Sequence, residues 1–393
     1  MAISVHSVAT SVPPTVIKQP DMRDLLLVQP ERTRLGRRLI ASAFDASAID
    51  TRHTVVRDLD LGAPLDGPGA ASGGPTGPAV FCDRAERRVL SPTTGTRNDV
   101  YVEHAPALFL EAARGAIAAS GSFTTADVTH VVTASCTGFF APGPDYVLVR
   151  DLGLPATARR LHVGFMGCYA AFPALSTARS ICAEDPDAVV LVVCAELCSL
   201  HLEASDDPDT IVASAVFADG AAAAIVSARP APAGHLVLDL DAMRTTLTPV
   251  GEQDMAWTIG DHGFEMVLSR YVPSIISEHI RGALDPLLAQ AGTDHEAAHE
   301  VIPRWAVHPG GRSVLDKVQD SLALDPVQME PSRSILREYG NMSSATILFI
   351  LQRLLTAPDA PGAGPGERVC AMAFGPGLTV ESALLTLRRV EAA

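Results

Sequence analysis

The sequence predicts an α/β protein built from alternating strands and helices. Short apolar runs rich in β-branched residues and alanine are punctuated by Gly and Pro. Alanine-rich stretches of helical length lie between them. The composition, 47% apolar and 19% charged over 393 residues, supplies core for roughly two or three domain-sized units.

In chain order, an alanine- and leucine-rich stretch predicts a helix over 105–119, and the run VTHVVTAS predicts a buried strand over 128–135. A helix follows over 145–152, then one over 169–182 whose Pro173 should kink or tighten its early turns unless the helix begins later. Strands are predicted over 188–194 and 221–227, both continuous apolar runs, and over 236–240. The C-terminal part alternates in the same way. Helices are expected over 272–291, 313–322 and 344–355, and strands over 305–308, 369–374 and 378–387. Three segments dense in Gly and Pro read as loops: 61–78, 228–234 (ARPAPAG) and 357–367. The middle one is the natural boundary, giving two α/β halves at 1–235 and 236–393.

The formal net charge of −15 argues against non-specific nucleic-acid binding, and an anionic substrate needs a local basic mouth. Only Lys18 and Lys317 are lysines, so arginine carries nearly all the positive charge. Seven scattered cysteines without a CxxC pair suggest neither a disulfide framework nor a zinc cluster. With no basic-then-apolar leader and no apolar run of membrane-spanning length, the expectation is a reduced, cytoplasmic protein off the membrane.

Cys168, in LHVGFMGCYAAFPALSTA, sits where an apolar run meets a small-residue helix. Helix N–H groups and the positive dipole end at such a turn stabilise a thiolate, lowering the pKa from about 8.5 toward neutrality. That placement suits a nucleophile; equally, a free cysteine packs as a small hydrophobe. A nucleophile needs a base and a polar group that orients the base or holds an oxyanion. His308, ending the apolar run RWAVHPGG, and Asn341, in REYGNMSSATILFIL before a helix, are the candidates. Taken singly, a core histidine and a helix N-cap remain open readings.

Together the strings GCYAAF, VFADGAAAAIV, WAVHPGG, SILREYGNMSSATILFIL and AFGPGLTVE resemble, in order and spacing, the signature segments of type III polyketide synthases, the chalcone-synthase-like enzymes. The resemblance runs from about Asp99 to Leu387. It implies a thiolase-like fold, five-layered αβαβα from two similar halves, a homodimer, and a catalytic triad of Cys168, His308 and Asn341. It also implies acyl-CoA and malonyl-CoA as substrates, with no cofactor and no metal. A thiolate paired with His308 would take the starter acyl group. His308 and Asn341 would then hold the malonyl thioester carbonyl while carbon dioxide leaves.

The resemblance further implies a substrate cavity lined by Phe217, Cys136, Thr137, Cys198, Trp257, Met266, Ser343, Gly375 and Pro376. Arg52, in AIDTRH, would grip a CoA phosphate bidentately. Ala141, Cys136, Cys198 and His201 depart from the plant pattern, and the strings SCTG and CSL look like bacterial branches, including tetrahydroxynaphthalene synthases. A carrier-protein-dependent ketoacyl synthase would carry HQAN where this chain has HPGG. A thiolase would need a CGGG pattern that AFGPGLT lacks. A papain-like hydrolase would place its nucleophile near the mature N-terminus. A small starter, malonyl itself included, with a few additions is the expected chemistry; long-chain alkylpyrone or alkylresorcinol synthesis is the alternative.

Overall fold

The computed structural model describes residues 2–62, 79–356 and 366–391. Most of the predicted loops at 61–78 and 357–367 therefore lies outside the described residues. Nine strands form one hydrogen-bonded sheet, in the order Arg304–Val307, Glu367–Gly375, Thr379–Arg389, Leu236–Leu247, Ser4–Ser11, Asp219–Ser227, Val189–Leu197, His130–Ser135, Arg159–Gly164. Ser4–Ser11 pairs along its whole length with Asp219–Ser227, but with Leu236–Leu247 only at Ser4 and Val5. The sheet therefore parts into two wings at that short ladder.

Alternation along the strands fixes the layers, because successive side chains point to opposite faces. In Val189–Leu197, Val190, Val192 and Cys194 pack with the helices Ala171–Glu184 and Thr346–Thr356, while Val189, Leu191 and Val193 pack with Thr94–Ala119. In Glu367–Gly375, Val369, Ala371 and Ala373 join the first cluster. Cys370, Met372 and Phe374 face the helices Val272–Leu288 and Arg312–Ser321 instead. Helix, sheet, helix, sheet, helix is the predicted αβαβα stack. The two central helices are built for that place: Ala171, Ala174 and Ala178 allow close approach, and Thr346–Thr356 is apolar nearly all round, as a helix between two sheets must be.

Pro173 does not kink its helix. The helix begins at Ala171, so Pro173 falls in the first turn, where backbone N–H groups have no intrahelical partner to lose. Other differences share a cause in tertiary context. Ser4–Ser11 (SVHSVATS) has no apolar run, yet it is the central strand, with Ser4 and Ser7 hydrogen-bonded to Asp239 and the Ala116 carbonyl. The helix Pro326–Tyr339 carries Pro331 inside it and escapes a reading that stops helices at proline, while Thr94–Ala119 includes the predicted 105–119 and extends it N-terminally past Pro106. A hairpin, Met255–Gly260 with Gly263–Leu268, lies apart from the main sheet and forms one wall of the site.

Candidate active site

The edge strand Arg159–Gly164 delivers the chain into Phe165 and Gly167, both at positive φ (58° and 79°). The turn Gly167–Tyr169 then leads into the central helix. A Cβ on Gly167 would stand 2.9 Å from Pro376 Cδ, so glycine is what lets the Gly375–Pro376 turn close over the cysteine. Cys168 is buried and lines a cavity of about 40 Å³. Cys136, Cys198, Phe217, Trp257, Met266, Asn341, Ser343 and Pro376 line it too.

Asn341 reaches this cavity through a backbone that admits little freedom. Gly340, at φ 73°, ends the preceding helix; a Cβ there would meet Arg52 Cγ at 2.9 Å and the Val216 carbonyl at 3.0 Å. Asn341 N donates to the Val216 carbonyl (2.8 Å), and its own carbonyl accepts from Ala218 N (2.9 Å). Its Oδ1 accepts from Ser343 N (2.9 Å). That bond turns Nδ2 toward Cys168 Sγ, 3.9 Å away. The same side chain thus closes a local turn and faces the thiol.

His308 follows the strand Arg304–Val307, its N–H bonded to the Met372 carbonyl (2.9 Å). It is fully buried, and neither ring nitrogen has a hydrogen-bond partner among the described residues. His308 does not itself line the 40 Å³ cavity, but Gly310, two residues on, does. Burial pushes its pKa down to about 3, so the imidazole is neutral. Burial likewise pushes the Cys168 thiol up to about 11, outweighing the opposing hydrogen bonds from Ser343 and Asn341 and those at the turn's backbone. This direction is opposite to that expected from the turn and helix end alone. In a small apolar cavity, desolvation exceeds what the helix end supplies, and each group alone is held uncharged.

Glu196, which sequence reading passes over, is the hub beneath the site. Fully buried, it accepts from Cys136 N (2.9 Å), Thr137 Oγ1 (2.9 Å) and Ser344 Oγ (2.5 Å), with the Cys136 thiol at 3.5 Å. Burial raises its pKa against these donors. The one charged residue inside the apolar strand VVLVVCAEL was the available signal. Thr137, predicted to line the cavity, does not: its hydroxyl donates to Glu196 and accepts from Leu197 N. Gly375 is not in the lining either. It lies against Tyr169, where a Cβ would come within 2.2 Å of the ring, and so supports the nucleophile turn from behind.

Trp257 and Met266 are directly opposed across the hairpin and share one wall, with Trp257 Nε1 donating to the Cys136 carbonyl (3.2 Å). Arg52 calls for a correction. Expected on a CoA phosphate, it is buried, and its Nη1 donates to the carbonyls of Ser214 (2.9 Å) and Phe217 (2.7 Å), bracing the segment that carries Phe217. Three basic side chains gather elsewhere, with Asp316 beside them. A cleft of about 560 Å³ lined by Arg270, Arg312 and Lys317 shares Leu268, Gly310 and Val314 with the cavity at Cys168. The signal in the sequence was Arg312 directly after HPGG, with Lys317 one of only two lysines.

All seven cysteines are buried and unpaired. Among the described residues, no group of three His, Cys, Asp or Glu side chains is placed to hold a metal, and no helix is long and apolar enough to cross a membrane.

The five-layered fold with a cysteine at the turn into its central helix defines a condensing enzyme of the thiolase-like class. More narrowly, the chain belongs to the chalcone and stilbene synthase family, the type III polyketide synthases: residues 85–230 match the N-terminal domain of chalcone and stilbene synthases, and residues 239–390 the C-terminal domain. Among solved structures it is similar to PKS-I from the brown alga Ectocarpus siliculosus, at 27% identity over 98% of each chain with a TM-score of 0.86. It is also similar to the type III domain of Steely1, a type I/III hybrid from Dictyostelium (27% identity, 98% of this chain and 99% of that one, TM-score 0.84). A type III pentaketide synthase from Neurospora crassa is a further likeness, at 25% identity over 99% of this chain and 100% of that one, with a TM-score of 0.80.

Proposed function

We propose that the chain loads an acyl group from CoA, malonyl or another small acyl group, onto Cys168, extends it with malonyl-CoA by repeated decarboxylative condensation, and cyclises the product. The observation that carries this reading is the Asn341 amide facing the Cys168 thiol in a cavity that shares wall residues with the cleft of Arg270, Arg312 and Lys317. That cleft suits the phosphates of CoA, and the polar N–H groups at the start of the helix Arg312–Ser321 add to it.

Burial disfavours both the thiolate and the imidazolium, so loading begins with a proton transfer. Neutral His308 takes the Cys168 proton as Sγ attacks the thioester carbonyl, the Sγ–acyl bond forms, and the CoA thiolate leaves with that proton. Malonyl-CoA then enters. Hydrogen bonds from Asn341 Nδ2 and His308 to its thioester carbonyl stabilise the enolate formed as the bond to the carboxylate breaks and carbon dioxide departs. The enolate carbon attacks the acyl-cysteine, a carbon–carbon bond forms, and Cys168 leaves as thiolate. Phe217, a neutral face at the cavity wall, favours loss of the charged carboxylate.

The 40 Å³ beside Cys168 has room for only a few waters at about 10–15 Å³ each, which favours a small starter. The cavity thiols Cys136 and Cys198 accord with the bacterial branch, tetrahydroxynaphthalene synthases included. A homodimer fits the edge strand Arg159–Gly164, which among the described residues is paired on one side only and whose Leu161 is exposed, as are Phe139 and Tyr146. The test is incubation with malonyl-CoA and a panel of short and long acyl-CoAs, with Cys168→Ala as control. Polyketide from short starters, abolished in the variant, is the expected result. Acceptance of carrier-protein thioesters alone would replace this reading with a ketoacyl synthase.

A further inference from the structure

The helix Pro208–Val216 stops one residue short of Phe217, and the last carbonyls of a helix have no partner within it. Here three distant segments supply the donors. Arg52 Nη1 donates to the Ser214 carbonyl (2.9 Å), Gln19 Nε2 to the Ala215 carbonyl (2.7 Å) and Asn341 N to the Val216 carbonyl (2.8 Å). The same Nη1 donates again, to the Phe217 carbonyl (2.7 Å). Arg52 therefore ties the end of the helix to the residue at which the cavity wall begins. A cation at a helix C-terminus is also favoured by the dipole. Burial lowers the Arg52 pKa only to about 10, with Asp219 opposing, so the guanidinium stays charged at neutral pH.

The stem of Arg52 serves the other side of the site. A Cβ on Gly340 would stand 2.9 Å from Arg52 Cγ and 3.0 Å from Cδ, so these methylenes lie against the backbone that turns into Asn341. Phe217 and Asn341 pair as a short parallel bridge, with Ala218 N on the Asn341 carbonyl. One side chain thus touches both halves of that bridge, the first by hydrogen bonds and the second by packing. Its own place is fixed from outside the main sheet. Arg52 lies on the strand Thr51–Thr54, paired with Thr15–Lys18, is 3% exposed, and has the Phe44 ring centroid 5.8 Å from its guanidinium carbon. Asp219, held by Ser199 N, Ser199 Oγ and Val55 N, attracts the guanidinium from the start of the strand Asp219–Ser227. Arg52 is absent from the walls of the cavity at Cys168, so it acts on the reaction only through Phe217 and Asn341, which are in them.

We propose that Arg52 is a positioning residue for decarboxylation: its guanidinium fixes Phe217 and its stem fixes Asn341, so that one side chain outside the cavity aligns the neutral face with the oxyanion donor. The inference rests on the polyketide synthase reading above. Displacing a catalytic group by about 1 Å can cost about 10²-fold in rate, so a small relaxation of this bridge is enough to be seen. Loading draws instead on Cys168 and His308, which the Gly167 turn and the Met372 carbonyl hold.

The test compares Arg52→Met, which keeps an apolar stem and removes the donors, with Arg52→Lys, which restores a cationic donor of shorter reach. Intact-protein mass after a starter acyl-CoA gives the acylatable fraction and the loading rate. Labelled carbon dioxide from malonyl-CoA gives decarboxylation per acylatable site. In Arg52→Met, decarboxylation per site should fall by about tenfold to a hundredfold while loading stays within about threefold, and Arg52→Lys should lie between it and the parent. A merely structural arginine would lower the acylatable fraction and leave decarboxylation per site unchanged. That result overturns the proposal, as does an Arg52→Lys variant no better than Arg52→Met. If Arg52→Met does not fold, Arg52→Lys decides by the same quantity, a parental value overturning the proposal. A parent that never acylates Cys168 overturns the polyketide synthase reading instead.

Discussion

Asn341→Leu separates loading from decarboxylation. In the structure the backbone of Asn341 is held by Val216 and Ala218, so the substitution removes the amide while leaving the chain in place. Two interactions are lost: the Oδ1 acceptor of Ser343 N, at 2.9 Å, and the Nδ2 donor at the cavity. Leaving the buried Ser343 N–H unpaired costs about 1–3 kcal/mol of stability. Loss of the donor acts on catalysis. A preorganised donor to a developing oxyanion is worth about 3–4 kcal/mol, so malonyl-CoA decarboxylation should fall by about 10²–10³-fold. Loading should fall far less, by under about tenfold, because the 3.9 Å contact to Sγ is long for a hydrogen bond. Release of labelled carbon dioxide from malonyl-CoA measures the first, quenched intact-protein mass the second, and urea unfolding confirms that the variant is folded. A folded variant that decarboxylates within about threefold of the parent refutes the oxyanion role.

Gly167→Ala places a Cβ at φ 79° and 2.9 Å from Pro376 Cδ, so it should cost about 1–3 kcal/mol and displace the nucleophile turn; unchanged unfolding midpoint and turnover would contradict this. His308 has a folded pKa of about 3 against 6.5 for the free side chain, so between those values the unfolded chain binds a proton that the folded one refuses. Its contribution to stability is therefore complete above pH 6.5 and is lost as pH falls toward 3, with a slope up to about 1.4 kcal/mol per pH unit. Urea unfolding of the parent and of His308→Gln across that window should show a shallower acid slope in the variant; identical slopes would mean that His308 is not held neutral.

The layered fold was legible because its buried strands are continuous apolar runs and its central helices are rich in small or apolar residues. What escaped were elements whose role is set by neighbours: Ser4–Ser11, whose Ser4 and Ser7 are satisfied by Asp239 and Ala116, and the helix Pro326–Tyr339 with its interior Pro331. Cys168 and Asn341 were legible as types of residue at types of turn, and the structure brings them to one cavity. The ionisation of Cys168 was not legible. It depends on how dry the cavity is, which arises from Phe217, Trp257 and Met266 folding over it from distant segments. Arg52 illustrates the converse: an arginine in a short motif reads as a phosphate ligand until the carbonyls of Ser214 and Phe217 are seen to occupy it. Thr137 is similar, since its partner Glu196 lies 59 residues away in sequence.

Three thiols, Cys136, Cys168 and Cys198, line the cavity, so the identity of the acylated sulfur is the sharpest question to put to the enzyme. Peptide-level mass spectrometry of protein quenched during turnover with a starter acyl-CoA answers it. The acyl adduct should fall on the Cys168 peptide and vanish in Cys168→Ala; an adduct on Cys136 or Cys198 in the parent, or full turnover by Cys168→Ala, would contradict the account.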